Sequence, residues 1–193
     1  MLAGGRSRRF GRDKLAEQYE GRPLLQHPVS RLLEVCDQVI VVLAPDTEQP
    51  MMPDGIRVRF ARDAVEGEGP LRGLYAGLDL ADAEWTVLAG GDMPDLQPAV
   101  LREMLRAARQ TSVAAVTLSD GGTERPLPCV LRTAPAADAV RVLLRAGRRS
   151  LRDLLAAVAS VVVDEPTWTA LDPDHRTLID VDEPTDVDRW SRG

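Results

Sequence analysis

"LAGGRSRRFGRDK" (residues 2–14) sets two adjacent glycines behind a short apolar run and then places five cations, Arg6, Arg8, Arg9, Arg12 and Lys14, within residues 6–14. Leu2-Ala3-Gly4-Gly5 has the character of a strand end running into a loop. In open α/β sheets, ligands sit beyond the carboxyl ends of the strands, where such loops lead into helices. Glycines reach positive φ and let backbone N–H groups approach an anion with no Cβ in the way. A lysine adds a compact charge that can follow a phosphate, and arginines fork onto phosphate oxygens. The competing reading is a plain turn followed by a solvated basic loop; the cations joined to the glycines favour an anion loop. It is not a Walker loop, since the order G-x-x-x-x-G-K-[ST] is absent, and it lacks the spacing of the dinucleotide fingerprint.

Working outward, short β-branched runs alternate with helical patterns. "QVIVVL" (38–43), "WTVLAG" (85–90) and "SVAAVTL" (112–118) read as buried parallel strands. "IRVRFA" (56–61) alternates and reads as shorter or nearer an edge, and "CVLR" (129–132) and "SVVVD" (160–164) are later strands. "VSRLLEV", "LRGLYAGLDLA", "PAVLREMLRAARQ" and "AADAVRVLLRAG" carry apolar residues at helical spacing, with Pro98 suited to a first helical turn. The pattern predicts a three-layer α/β/α sandwich with a mostly parallel, Rossmann-like sheet. Residues 120–131 are expected to add an antiparallel piece. No repeat, low-complexity tract or linker divides the chain, so 1–193 is read as one domain.

The formal net charge is -6 over 193 residues. An acidic balance argues against nucleic acid as a partner, because phosphate backbones are held by excess Lys and Arg. The basic cluster is local and suits a small polyanion. Cys36 and Cys129 form no CxxC pattern, which predicts a reduced, cytoplasmic setting without a thiolate zinc site. No apolar run approaches the ~18 residues of a membrane span. His27 and His175 are too few for a histidine cage; His27, beside Pro28 at a helix start, reads as structural or exposed, and His175 has no ligand partner at useful spacing. The three tryptophans are too scattered for a stacking platform.

The string LAGG-x-S-x-R-hydrophobic-G-x-D-K resembles the signature loop of the molybdenum cofactor nucleotidyltransferases. The resemblance continues in order through "GPLRGL" (69–74), "GGDMP" (90–94), "RPLPCVL" (125–131), "AGRRSLRDLL" (146–155) and "LIDVDEPTD" (178–186). Gly5 after Gly4 is similar to the guanylyl members, whereas Leu43 stands where those members place an Asn. Members also carry a strand ahead of LAGG, of which only Met1 is present, so Leu2 is expected beside a gap or shortened strand in the sheet.

The resemblance implies a Mg²⁺-dependent transfer of GMP from GTP to molybdopterin with release of pyrophosphate. The product would pass to molybdoenzymes, and upstream cofactor-synthesis proteins are the expected protein partners. The nucleotide would be held by Leu2, Ala3, Gly4, Gly5, Lys14, Asp63 and Asp92, with Lys14 and Asp92 catalytic. Alternatives are CTP, a sugar phosphate as acceptor, or a nucleotide-binding module without turnover.

Such a transfer needs neutralised charge more than covalent help, and a hard cation held by one or two carboxylates is the usual device. Asp92 follows an apolar strand and should emerge beside the glycine loop; its competing use is a turn or cap before the next helix. Asp180 and Asp182 share a face if "DVDEP" is extended, and Asp182 is the second candidate ligand, with capping as the alternative. Arg148 and Arg149 suit either an acceptor phosphate or a solvated helix start.

Overall fold

A computed structural model of the chain describes residues 1–3, 14–63, 67–182 and 186. A small hairpin, β1 (Gln18–Tyr19) and β2 (Arg22–Pro23), precedes α1 (Gln26–Leu33). The main elements follow as β3 (Val39–Leu43), β4 (Val58–Arg62), α2 (Pro70–Asp79), β5 (Trp85–Leu88), α3 (Pro98–Arg109), β6 (Ala115–Asp120) and β7 (Thr123–Arg132). The chain then forms α4 (Thr133–Arg145), α5 (Leu151–Ala157), β8 (Ser160–Val163) and α6 (Glu165–Thr169).

Backbone pairing gives one sheet in two parts. β4 and β3 are parallel, and β5-β7-β6-β8 form a four-stranded part in which β7 runs antiparallel to both neighbours. Leu2 makes parallel bridges to Val42 on one side and Gly90 on the other, so residues 1–3 are the stub that joins the parts. The Leu2 and Ala3 N–H groups donate to Ala89 O and Val42 O, both at 2.9 Å. The stub ends where the Met1 amine meets Ile40 O at 2.8 Å. Behind it the facing edges of β3 and β5 separate around a cavity of about 940 Å³, lined by Ile40, Val42, Trp85, Val87 and Leu105 among others.

Alternation along the strands sorts side chains into two cores. Val87, Val116, Leu118 and Val130 face α1 and α3, meeting Val29, Leu32, Leu101 and Met104. Leu88, Ala115, Cys129 and Leu131 face α2, α4 and α5, meeting Leu74, Val140 and Leu154. The three-layer arrangement expected from strand–helix alternation follows. β4 lies at an edge, as its alternating pattern implied.

β7 is longer than "CVLR" suggested because it continues through Pro126 and Pro128. A proline has no N–H for a ladder, and these two fall where the β6–β7 register shifts between Val116/Leu118. The β6–β7 pair is the antiparallel piece expected around 120–131. Two helices escaped the periodicity reading: α5 and α6 have 7 and 5 residues, too few for two turns of pattern.

Candidate active site

The carboxyl ends of β3 and β5 flank the stub, and the side chains expected to do chemistry converge there. Lys14 opens a 3-10 turn, Lys14–Ala16, anchored by Leu25 N donating to Leu15 O at 3.1 Å. Its ammonium donates to Asp92 Oδ2 at 2.8 Å and lies 3.6 Å from Asp182 Oδ1. The lysine side chain is only 13% exposed, against 31% and 55% for the two aspartates, so the cation sits inside a mouth whose rim is acidic.

Asp92 reaches this position because Gly90 carries no side chain. A Cβ at Gly90 would overlap Asp92 Oδ1, so a side chain there would push the carboxylate away. Asp92 is not the cap of α3. That helix begins after Gln97, which makes no side-chain cap bond, and Pro98 fills the first turn.

The backbone also aligns Asp182. Val181 N donates to Asp92 O at 2.9 Å, and the Val181 side chain is buried with Tyr19 and Leu24. With Val181 turned inward, Asp180 and Asp182 flank it, the alternation expected of an extended segment. Burial, together with the neighbouring Asp182 and Asp92 charges, raises the Asp180 carboxyl above its ordinary range. A buried bond from Tyr19 Oη to Asp95 Oδ2 at 2.9 Å braces the hairpin against the Asp92 turn. Sequence reasoning missed this Tyr19–Asp95–Val181 support; the only signal was Asp95 beside the "GGDMP" turn.

The remaining expectations divide. Leu2 and Ala3 use backbone groups to complete the sheet, and Leu2 O also accepts from Gly91 N at 2.8 Å. Gly4, Gly5 and the four arginines fall within residues 4–13, outside the described residues. Asp63 follows β4, its N–H donating to Leu43 O at 2.8 Å. Leu43 is 1% exposed within the apolar core.

Arg148 lies 3.5 Å from Asp153 and Arg149 3.4 Å from Glu68. The second contact belongs to a closer meeting of loops, in which Leu71 N donates to Arg149 O at 3.2 Å. Gly69, at φ 85, permits it: a Cβ there would stand 2.8 Å from Arg149 O. The "GPLRGL" and "AGRRSL" stretches thus form one wall.

The groups set aside behave as expected. His27 is buried and its Nε2 lies 2.6 Å from Tyr19 O. Burial pushes the Cys129 thiol up to about 12, which keeps it inert. His175 has no partner at useful spacing, but it stands beside Asp120 and Glu165, which are too distant in the chain for spacing to reveal.

A cation flanked by two carboxylates at a sheet's carboxyl edge is suited to a polyanion and its counter-ion. All the converging donors on the acidic side are hard oxygens, the set that Mg²⁺ prefers. Among the described residues, no helix is long and apolar enough to cross a membrane.

The profile of the MobA-like NTP transferase domain matches residues 1–162. A probable molybdenum cofactor guanylyltransferase of Mycolicibacterium paratuberculosis is 36% identical over 178 residues, covering 88% of this chain and 87% of that protein. The molybdenum cofactor guanylyltransferase of Syntrophotalea carbinolica is 28% identical over 192 residues, covering 100% of this chain and 89% of its own. Among solved structures, molybdopterin-guanine dinucleotide biosynthesis protein A from Archaeoglobus fulgidus superposes with a TM-score of 0.78 at 22% identity, over 97% of this chain and 93% of that one. A 2-C-methyl-D-erythritol 4-phosphate cytidylyltransferase from Thermus thermophilus does so at 0.72 and 17%, over 98% and 95%. At such identities the structures speak for the fold alone.

Proposed function

The chain belongs to the MobA-like NTP transferase family, and on that premise we propose that it transfers GMP from GTP to molybdopterin. The observation that carries this reading is the Lys14 ammonium set between Asp92 and Asp182 at the end of the stub strand. In the reaction, an oxygen of the acceptor's terminal phosphate attacks the α-phosphorus of GTP. One P–O bond forms, the bond to the β-phosphate breaks, and pyrophosphate leaves with the extra charge.

Lys14 lies where it can exchange its carboxylate partners for phosphate oxygens as that charge develops. Asp92 and Asp182 supply the oxygens for Mg²⁺, which when bound polarises the α-phosphate and shields the departing pyrophosphate. Gly4 and Gly5 contribute backbone N–H groups to the phosphates, and Asp63 contacts the nucleoside. The wall formed by Gly69 and Arg149 holds two loops in register around the acceptor. The reading is supported for guanine by relatives named guanylyltransferase. One observation favours a second base: Leu43 offers no polar group to a guanine, which makes CTP the alternative donor.

Pyrophosphate release measured with each nucleoside triphosphate, with and without molybdopterin, tests the proposal. Release with GTP that depends on molybdopterin is expected. Release with CTP instead would move the assignment to a cytidylyl transfer, and none with any pair would leave a binding module.

A further inference from the structure

Beside the turn between β6 and β7, three side chains converge that the candidate active site does not use. Asp120 ends β6, Glu165 stands in the first turn of α6, and His175 precedes the 3-10 turn Arg176–Leu178. One ligand atom from each lies within 4.8 Å of the other two, and His175 Nδ1 is 3.8 Å from Asp120 Oδ1.

The imidazole is held in place rather than loosely solvated. Its ring meets the Trp168 ring edge-on at 4.7 Å, and Trp168 is fully buried, its indole N–H donating to Ser119 O at 2.7 Å. Trp168 therefore ties the histidine ring to the residue next to Asp120. The His175 backbone is fixed at φ 54, its N–H donating to Asp172 O and its carbonyl accepting from Leu178 N, both at 3.1 Å. Buried Asp172 holds the same turn through Arg176 N and Thr177 N. On the facing side, Gly121 N donates to Glu165 Oε2 at 2.8 Å, orienting that carboxylate across the turn. The nearby cation is Arg125, 3.8 Å from Asp120 Oδ2.

We propose that Asp120, Glu165 and His175 form a binding site for a divalent transition cation of the zinc or cobalt type, distinct from the Mg²⁺ site. One imidazole nitrogen with two carboxylate oxygens is a borderline-soft donor set, which favours zinc over magnesium. Zinc bonds of about 2.0–2.2 Å bring tetrahedral ligands to roughly 3.3 Å from one another. The three atoms, which lie within 4.8 Å of one another, would close on the ion, and water would complete the fourth position. The ion would staple the β6–β7 turn to the segment that continues through residue 178 to Asp180 and Asp182.

The chain has two histidines, so imidazole ¹⁵N resonances report the site directly, with buried His27 as an internal control. The metal-free full chain is titrated with Zn²⁺ in excess Mg²⁺, which saturates the Asp92 site. One equivalent should move the His175 Nδ1 resonance and leave His27 in place. Glu165→Gln and Asp120→Asn should each weaken Zn²⁺ binding about tenfold or more. His175→Asn, which tolerates the left-handed backbone, should abolish it, while Asp92→Asn should retain it. Melting curves establish that each variant is folded. An unmoved His175 resonance, an affinity unchanged by Glu165→Gln, or Zn²⁺ binding lost with Asp92 alone would overturn the proposal.

Discussion

In the proposed transfer Lys14 would serve two partners in turn. Its ammonium lies 2.8 Å from Asp92 and 3.6 Å from Asp182, and the proposed reaction needs the same charge at phosphate. Lys14→Ala should therefore do two things at once. Turnover should fall about 100- to 1000-fold, the usual cost of losing one preorganised donor. Mg²⁺ affinity without nucleotide should rise, because two carboxylates then lack their counter-charge; calorimetry of Mg²⁺ binding checks this, and an unchanged or weaker affinity would show that the lysine does not compete with the metal. Asp92→Asn keeps the shape of its turn and should lower turnover comparably, with partial recovery at high Mg²⁺. The convergence of Lys14, Asp92 and Asp182 was legible because each stands in a sequence motif that comes after a short apolar run. The Asp120–Glu165–His175 group was not, since its members come from three elements and no spacing links them.

Among the elements, the parallel bridges of Leu2 to Val42 and Gly90 join the two parts of the sheet among the described residues.

Strands β3, β5, β6 and β8 were readable from β-branched runs. The placement of β7 between β5 and β6 was not, because strand order is decided by long-range pairing. α5 did leave a local trace, the capping box of Ser150 and Asp153, which periodicity alone passed over.

At the scale of the whole molecule, the formal net charge is -6 and Lys14 is recessed at the sheet edge, so the proposed nucleotide affinity would come from that mouth. A ligand that binds only the folded state raises Tm by mass action, and GTP should do so more than CTP at equal concentration with Mg²⁺. Equal shifts, or a larger one with CTP, would overturn the guanine assignment and leave the reaction class standing. The most direct measurement follows the phosphorus atoms themselves. With GTP labelled at the α-phosphate, Mg²⁺ and molybdopterin, the label should appear in the acceptor, joined as a dinucleotide, while a γ-label appears in pyrophosphate. An α-label that stays with free guanine nucleotide, or a γ-label released as single phosphate, would contradict nucleotidyl transfer by Lys14, Asp92 and Asp182.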